Sequence, residues 1–188
     1  MKSLFLSLLL ALPAFVFGQL DQPSSGRYAI ELSMGYQQNG PFFNQLESSS
    51  LQSLTTLGVQ RNWLQTETHR WYQSLELGML TDFSSVTGFQ ATTMMGYQWT
   101  FLGSFFIAGE LGGGAMRVGE PSEILREDQE ISTEEGWLAM TNGSLKLGFQ
   151  PSNFGIYAIY RLNGQWVGAE ELSVFPAQYA ALGLRYQW

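Results

Sequence analysis

Residues 177–188 (AQYAALGLRYQW) constrain the fold more than any other stretch of this chain. Side chains of an extended strand alternate between two faces, so Ala180, Leu182, Leu184, Tyr186 and Trp188 share one side. Ala181, Gly183, Arg185 and Gln187 share the other. A strand that is apolar on one face, carries an arginine on the other and finishes on tryptophan suits the closing strand of a barrel in a bilayer. Lipid then lies outside, a polar lumen inside and an aromatic residue at the interface.

The 188 residues amount to about one domain and include no cysteine, which leaves no disulfide framework and no thiolate metal site. Residues 1–18 combine Lys2, an apolar run and the small Gly18, the layout of a secretory signal peptide. Pro13 interrupts a run already too short to span about 30 Å of hydrocarbon as a helix. The expected domain organisation is thus a leader over 1–18 and a barrel over 19–188. Without Lys2, 8 of the 9 basic residues remain against 16 acidic ones. That balance argues against nucleic acid as a partner, because phosphate backbones demand basic patches.

The composition is 45% hydrophobic, yet no long apolar run follows residue 18. Apolar residues spread by alternation leave two options, a soluble β-protein or a membrane barrel. Residues 27–36 alternate without exception. Tyr28, Ile30, Leu32, Met34 and Tyr36 oppose Arg27, Ala29, Glu31, Ser33 and Gly35, over about the length a tilted transmembrane strand needs. The same pattern places strands near 55–63, 70–80, 89–101, 105–115, 137–149, 154–163 and 177–188, eight in all. Arg61 breaks the outward face beside Trp63, where it can snorkel to headgroups, and Gln73 is the outward exception of its strand.

Three regularities favour the membrane. The connections 37–53, 81–86, 117–134 and 164–176 read as long loops, the second of them modest, and those at 64–68, 102–103 and 151–153 as short turns. Long loops on one side and short periplasmic turns on the other are expected of outer-membrane barrels. Aromatic residues sort by height. Trp63, Trp71, Trp99, Phe101, Phe105, Phe149, Phe154, Tyr186 and Trp188 fall near the short turns, with Tyr36, Phe89 and Trp137 near the long ones. A phrase built on an inward glycine recurs at Gly35, Gly58, Gly96 and Gly148, with variants at Gly78, Gly112 and Gly183. The lumen of eight strands is only wide enough to be filled by side chains, so these glycines make room for long charged ones.

With these features the chain resembles the small eight-stranded outer-membrane barrels of Gram-negative bacteria, the OmpA/OmpX-like β-barrel group, over essentially residues 19–188. The resemblance implies an all-β, antiparallel, up-and-down transmembrane barrel. The spacing of Gly183, Tyr186 and Trp188 looks like the C-terminal signal read by the outer-membrane insertion machinery. Ala181 stands where that signal usually carries a polar residue. Members of the group serve as structural barrels, as adhesive or immune-facing surface proteins and occasionally as lipid A-modifying enzymes, so the fold alone does not assign a role.

The inward face carries Glu31, Arg70, Glu76, Glu110, Lys146, Arg161 and Arg185. Unpaired charge in so narrow an interior is costly, so we read them as ion pairs that seal the lumen, Glu76 and Glu110 pairing with Lys146, Arg161 or Arg185. His69, the single histidine, has outward parity while Ser74 and Glu76 point inward, so an interfacial histidine is favoured over a catalytic base. The acidic run Glu120, Glu123, Glu127, Asp128, Glu130, Glu134 and Glu135 lacks calcium-loop spacing and reads as a solvated loop. Phe42, Phe43, Trp166, Val174 and Phe175 are apolar residues of the long loops, suited to a protein-binding patch or to plugging the mouth. The expected function is a non-enzymatic barrel with a sealed lumen and no cofactor. Its partners would be membrane lipid, lipopolysaccharide, the insertion machinery and a protein reached through the loops. The alternatives are a lipid A- or phospholipid-modifying enzyme, an accessory subunit of a secretion or assembly complex, and a soluble lipocalin-like carrier with the apolar face inward.

Overall fold

The computed structural model describes residues 27–39, 51–82, 85–118, 137–167 and 173–188. They form β1 (Tyr28–Asn39), β2 (Leu51–Gln65), β3 (His69–Asp82), β4 (Ser85–Phe101), β5 (Phe105–Val118), β6 (Trp137–Phe149), β7 (Phe154–Val167) and β8 (Ser173–Gln187). Each strand pairs antiparallel with its neighbours in sequence, and β8 returns to β1, closing the barrel. Closure satisfies every edge within the sheet, the condition for placing backbone amides in hydrocarbon. The expected leader at 1–18, Phe42, Phe43 and the acidic run from Glu120 to Glu135 lie outside the described residues.

The outward faces carry Leu32, Leu57, Leu75, Leu77, Met95, Leu147, Ile156 and Leu184, all exposed. Leu111 and Leu182 each expose 74% of their surface, which is unfavourable in water and favourable in lipid. This orientation is the reverse of a lipocalin-like carrier. Around the end that bears the short turns, aromatic contacts run nearly continuously along the wall. Tyr28 stacks on Trp188, Trp188 on Tyr186, and Tyr186 packs on Phe154 with centroids 5.1 Å apart. Phe149, Phe105, Phe101 and Trp99 follow in chain contact, and Trp71 packs on Tyr97 at 4.9 Å. Such a belt matches the amphipathic zone between acyl chains and headgroups.

The connection 37–53 is shortened by the pairs Gln37↔Gln52 and Gln38↔Leu51, and two others differ more from the sequence expectation. Residues 81–86 do not form a long loop: β3 and β4 pair as far as Asp82↔Ser85, with a register shift at Leu80/Thr81. The segment 164–176 is mostly ladder, with Gly164↔Pro176, Gln165↔Phe175 and Trp166↔Val174 as partners. Trp166, Val174 and Phe175 are therefore strand residues rather than loop residues. The physical reason is common to both. Alternation of side chains reports the part of a strand that faces lipid, whereas backbone pairing continues beyond it wherever neither chain diverges.

The turn between β4 and β5 places Leu102 at φ 49° and Gly103 at φ 76°. Glycine tolerates the left-handed region, but leucine is strained there because its Cβ crowds the carbonyl oxygen. Leu102→Asn is expected to raise stability by about 0.5–1 kcal/mol, asparagine being tolerant of this conformation. Urea unfolding of the barrel in lipid vesicles measures it. An unchanged or lower midpoint would count against strain at this turn.

Candidate functional site in the barrel lumen

Alternation turns one residue in two of every strand inward, and at mid-height these positions bring six charges together. Glu31 of β1, Glu76 of β3 and Glu110 of β5 meet Lys146 of β6, Arg161 of β7 and Arg185 of β8, and none is more than 4% exposed. Lys146 stands at the centre. Its Nζ lies 2.7 Å from Glu31 Oε2, 2.7 Å from Glu110 Oε1 and 3.9 Å from Glu76 Oε1. Arg161 Nη2 is 2.6 Å from Glu76 Oε2, and Arg185 Nε donates to Glu31 Oε1 at 2.6 Å. Three carboxylates thus face three cations. In so narrow an interior the charges are tolerated because each is paired, although Arg161 Nε and Nη1 have no partner among the described residues. Tyr72 Oη and Ser144 Oγ donate to Glu110, and Arg185 Nη1 donates to Gln98 Oε1 at 2.6 Å.

Three of the inward glycines do something other than make room for charged chains. A Cβ added to Gly96 would meet Tyr72 Cζ at 2.3 Å, one on Gly148 would meet Phe106 Cζ at 2.3 Å, and one on Gly183 would meet Tyr157 Cζ at 2.2 Å. Each glycine is the cross-strand partner of the residue whose ring covers it. A ring laid flat over a glycine fills the narrow lumen without bulging the wall. The rings in turn support the cations. Arg185 lies 4.8 Å from the centre of Phe106, Lys146 5.3 Å from Tyr157 and Arg161 5.7 Å from Tyr179. Stacked glycine, ring and cation form the floor of the charged layer. Gly58 does make room for a charged chain, its nearest neighbour being the Glu76 side chain at 2.9 Å, and Gly78 lies against Gln90 at 2.6 Å.

Toward the strand ends away from the short turns the lumen is mixed, with the amides Gln37, Gln90, Asn142 and Asn163 buried among apolar side chains. Leu54, Leu80, Met116 and Met140 are buried there, in one cluster with Ile159 and Tyr179. Ser33 Oγ bonds Thr56 Oγ1 and Tyr179 Oη, each at 2.7 Å, between these side chains and the charged layer. Sequence reading missed the inward roles of Leu54, Leu80, Phe106, Met116, Met140 and Ile159. Strict parity would have found them, since each lies an even number of residues from a recognised inward position on its own strand.

The other candidate residues take separate places. Arg70 stands apart from the ion pairs, near the short turns, and its Nη1 donates to Gln187 Oε1 at 2.8 Å. It borders a vestibule of about 360 Å³ at that mouth. Gly183 lies under Tyr157, while Tyr186 and Trp188 belong to the external aromatic belt. The backbone of Trp188 exchanges hydrogen bonds with Tyr28 and so seals the β1–β8 seam. His69 is exposed on the outer wall with Nδ1 2.6 Å from Tyr97 Oη. Ser74 and Glu76 are buried inside. The barrel wall therefore separates the histidine from the hydroxyl and carboxylate that a catalytic arrangement would need. Among the described residues, no three or more acidic, histidine or cysteine side chains form a metal cluster.

Comparison with solved structures returns barrels of the same build. Ail, the attachment invasion locus protein of Yersinia pestis, is 15% identical with a TM-score of 0.54, covering 88% of this chain and 100% of its own. The N-terminal barrel domain of Pseudomonas aeruginosa OprF is 14% identical with a TM-score of 0.54, over 88% and 100%. The Neisserial surface protein NspA is 7% identical with a TM-score of 0.55, again over 88% and 100%. The fold is that of the small eight-stranded outer-membrane barrels. At these identities the likeness is one of fold. No family model matches the chain, and neither does any curated protein.

Proposed function

We propose that this chain is an integral outer-membrane protein, exported by its leader at 1–18, whose barrel is a closed, non-enzymatic scaffold. Its role then lies at the surfaces the scaffold presents outside the bilayer: structural, or engaging lipopolysaccharide or a protein partner through the long connections. The observation that carries this reading is the six-residue ion-pair layer buried in the lumen at mid-height. A wide aqueous path needs unpaired or separated charges along it. Here the opposite charges touch.

Gel mobility of the protein from isolated outer membranes, with and without boiling, tests the location. A faster band before heating is expected, and a heat-insensitive band in the soluble periplasmic fraction would overturn the membrane assignment. Planar-bilayer recording tests the seal. No steady, large conductance is expected from the wild type, and finding one that rises when Glu110 is truncated would refute a closed lumen. Mass spectrometry of lipid A with and without the protein is expected to show no change, which separates a scaffold from a lipid A-modifying enzyme. Crosslinking from the long connections is the route to a partner, including an assembly complex.

A further inference from the structure

His69 and Tyr97 stand together on the outer wall, at the end of the barrel that bears the short turns. His69 opens β3, and Thr66 holds its backbone from both sides. Thr66 N donates to His69 O at 2.8 Å, and His69 N donates to Thr66 Oγ1 at 3.0 Å. The imidazole lies nearly parallel to the Tyr97 ring, at an interplanar angle of 20°, with Nδ1 2.6 Å from Tyr97 Oη. Trp71 packs on Tyr97 with centroids 4.9 Å apart, and Trp99 is the cross-strand partner of His69. Both indoles are about half exposed, and His69 itself is exposed. The pair carries one donor more than it uses. A neutral imidazole has one N–H and a phenol one O–H, and a single hydrogen bond joins them here. The phenol is the more acidic of the two, so Tyr97 Oη–H donates to Nδ1 and the imidazole proton stays on Nε2. Nε2 makes no hydrogen bond among the described residues and faces away from Nδ1 across an exposed ring. The spare donor thus lies between half-exposed indoles of the aromatic belt, the level at which headgroups and glycerol esters stand. An anionic phosphate oxygen there accepts more strongly than water, because its charge assists the bond.

We infer that His69 and Tyr97 form a phospholipid-headgroup site on the outer wall. His69 Nε2–H donates to a phosphodiester oxygen, Tyr97 holds the imidazole in the tautomer that allows this, and Trp71 and Trp99 flank the glycerol and the start of the acyl chains. Glu67, exposed on the adjoining turn, favours a zwitterionic headgroup over an anionic one. The inference deepens the proposed function by naming a lipid site on the wall, and it rests on that reading for the presence of a bilayer.

His69 is the only histidine of the chain, so histidine labelled with nitrogen-15 reports this one ring. The full barrel is folded in maltoside micelles, which contain no phosphate, and titrated with dihexanoylphosphatidylcholine, with dihexanoylglycerol and with inorganic phosphate. Before any addition the proton is expected on Nε2. A saturable shift of Nε2 is expected with the phospholipid and with neither of the other two probes. In Tyr97→Phe the ring is expected to show both tautomers and to bind the phospholipid more weakly. In His69→Phe, binding followed by the phosphorus signal of the lipid is expected to weaken by about tenfold, the scale of a lost charge-assisted hydrogen bond. The heat-shifted gel band shows that each variant still forms a barrel. A free barrel with the proton on Nδ1 overturns the inference, and so does an equal response to dihexanoylglycerol, which would mean apolar contact only. Saturation by inorganic phosphate, no saturation by the phospholipid, or undiminished binding in a folded His69→Phe overturns it as well. Unchanged tautomer and affinity in Tyr97→Phe would remove Tyr97 from the site. Failure of the membrane assignment would show instead in fractionation and gel mobility, so the two are distinguishable.

Discussion

Replacing Lys146 with methionine is expected to destabilise the barrel by about 3–5 kcal/mol, the scale on which breaking a buried charge pair leaves its partner uncompensated. Lys146 is the ion that several carboxylates share. Glu31 and Glu110 each lie 2.7 Å from its Nζ, and Glu76 lies 3.9 Å away. Methionine preserves much of the volume, so the loss reports charge rather than a cavity. Arg185 still holds Glu31 and Arg161 still holds Glu76, but Glu110 keeps only the hydroxyl donors Tyr72 and Ser144. Adding Glu110→Gln to Lys146→Met restores a balanced layer of two carboxylates and two cations. The double variant is expected to recover more than half of the lost stability, a coupling that a double-mutant cycle reads directly. Urea unfolding in lipid vesicles, followed by tryptophan fluorescence, gives all four corners. A single-mutant loss below about 1 kcal/mol would show that a carboxylate has neutralised itself by taking up a proton, and the layer would then not depend on Lys146.

Gly183→Ala is expected to cost about 1–3 kcal/mol through overpacking, although it adds a single methyl group. The new Cβ would stand 2.2 Å from Tyr157 Cζ and 2.6 Å from its Oη, so the ring has to leave its seat. That ring lies 5.3 Å from Lys146 and 5.8 Å from Arg185, and moving it disturbs the support of two cations at once. Combining Gly183→Ala with Tyr157→Ser removes the clash. The substitution at Gly183 is then expected to have little further effect on the purified barrel. The same pair of variants separates packing from targeting. If Gly183 also forms part of a signal for the insertion machinery, the double variant will fold from urea into lipid yet accumulate poorly in outer membranes of living cells. If packing is its whole role, Tyr157→Ser and the double variant will accumulate equally.

The charged layer was legible residue by residue because each of its members is a charge among uncharged residues on a face already defined by alternation. Glu31 sits between Ala29 and Ser33, and Arg185 between Gly183 and Gln187, on strands whose other face is uniformly apolar. The pairing within the layer was less accessible. Lys146 lies on β6 and Glu31 on β1, two strands that are not hydrogen-bonded to each other, and they meet only because the sheet curls shut. Arg70 shared the inward parity of the others but not their height, and parity carries no information about height. The glycines were located correctly and their neighbours were not. What lies over Gly96, Gly148 and Gly183 is decided by cross-strand register, which places Tyr72, Phe106 and Tyr157 opposite them.

The sequence by itself determined the class of architecture, the faces of the strands and the level of the aromatic belt. All three follow from local periodicity, in which the period of two fixes sidedness and the position of aromatics fixes depth relative to the turns. Only the tertiary structure decided how far the ladders extend, which carboxylate meets which cation, that rings lie on three of the glycines, and that leucine and methionine share one side of the charges with buried amides. These depend on register and on closure around the barrel, and closure brings together strands between which no local pattern in the chain carries a relation.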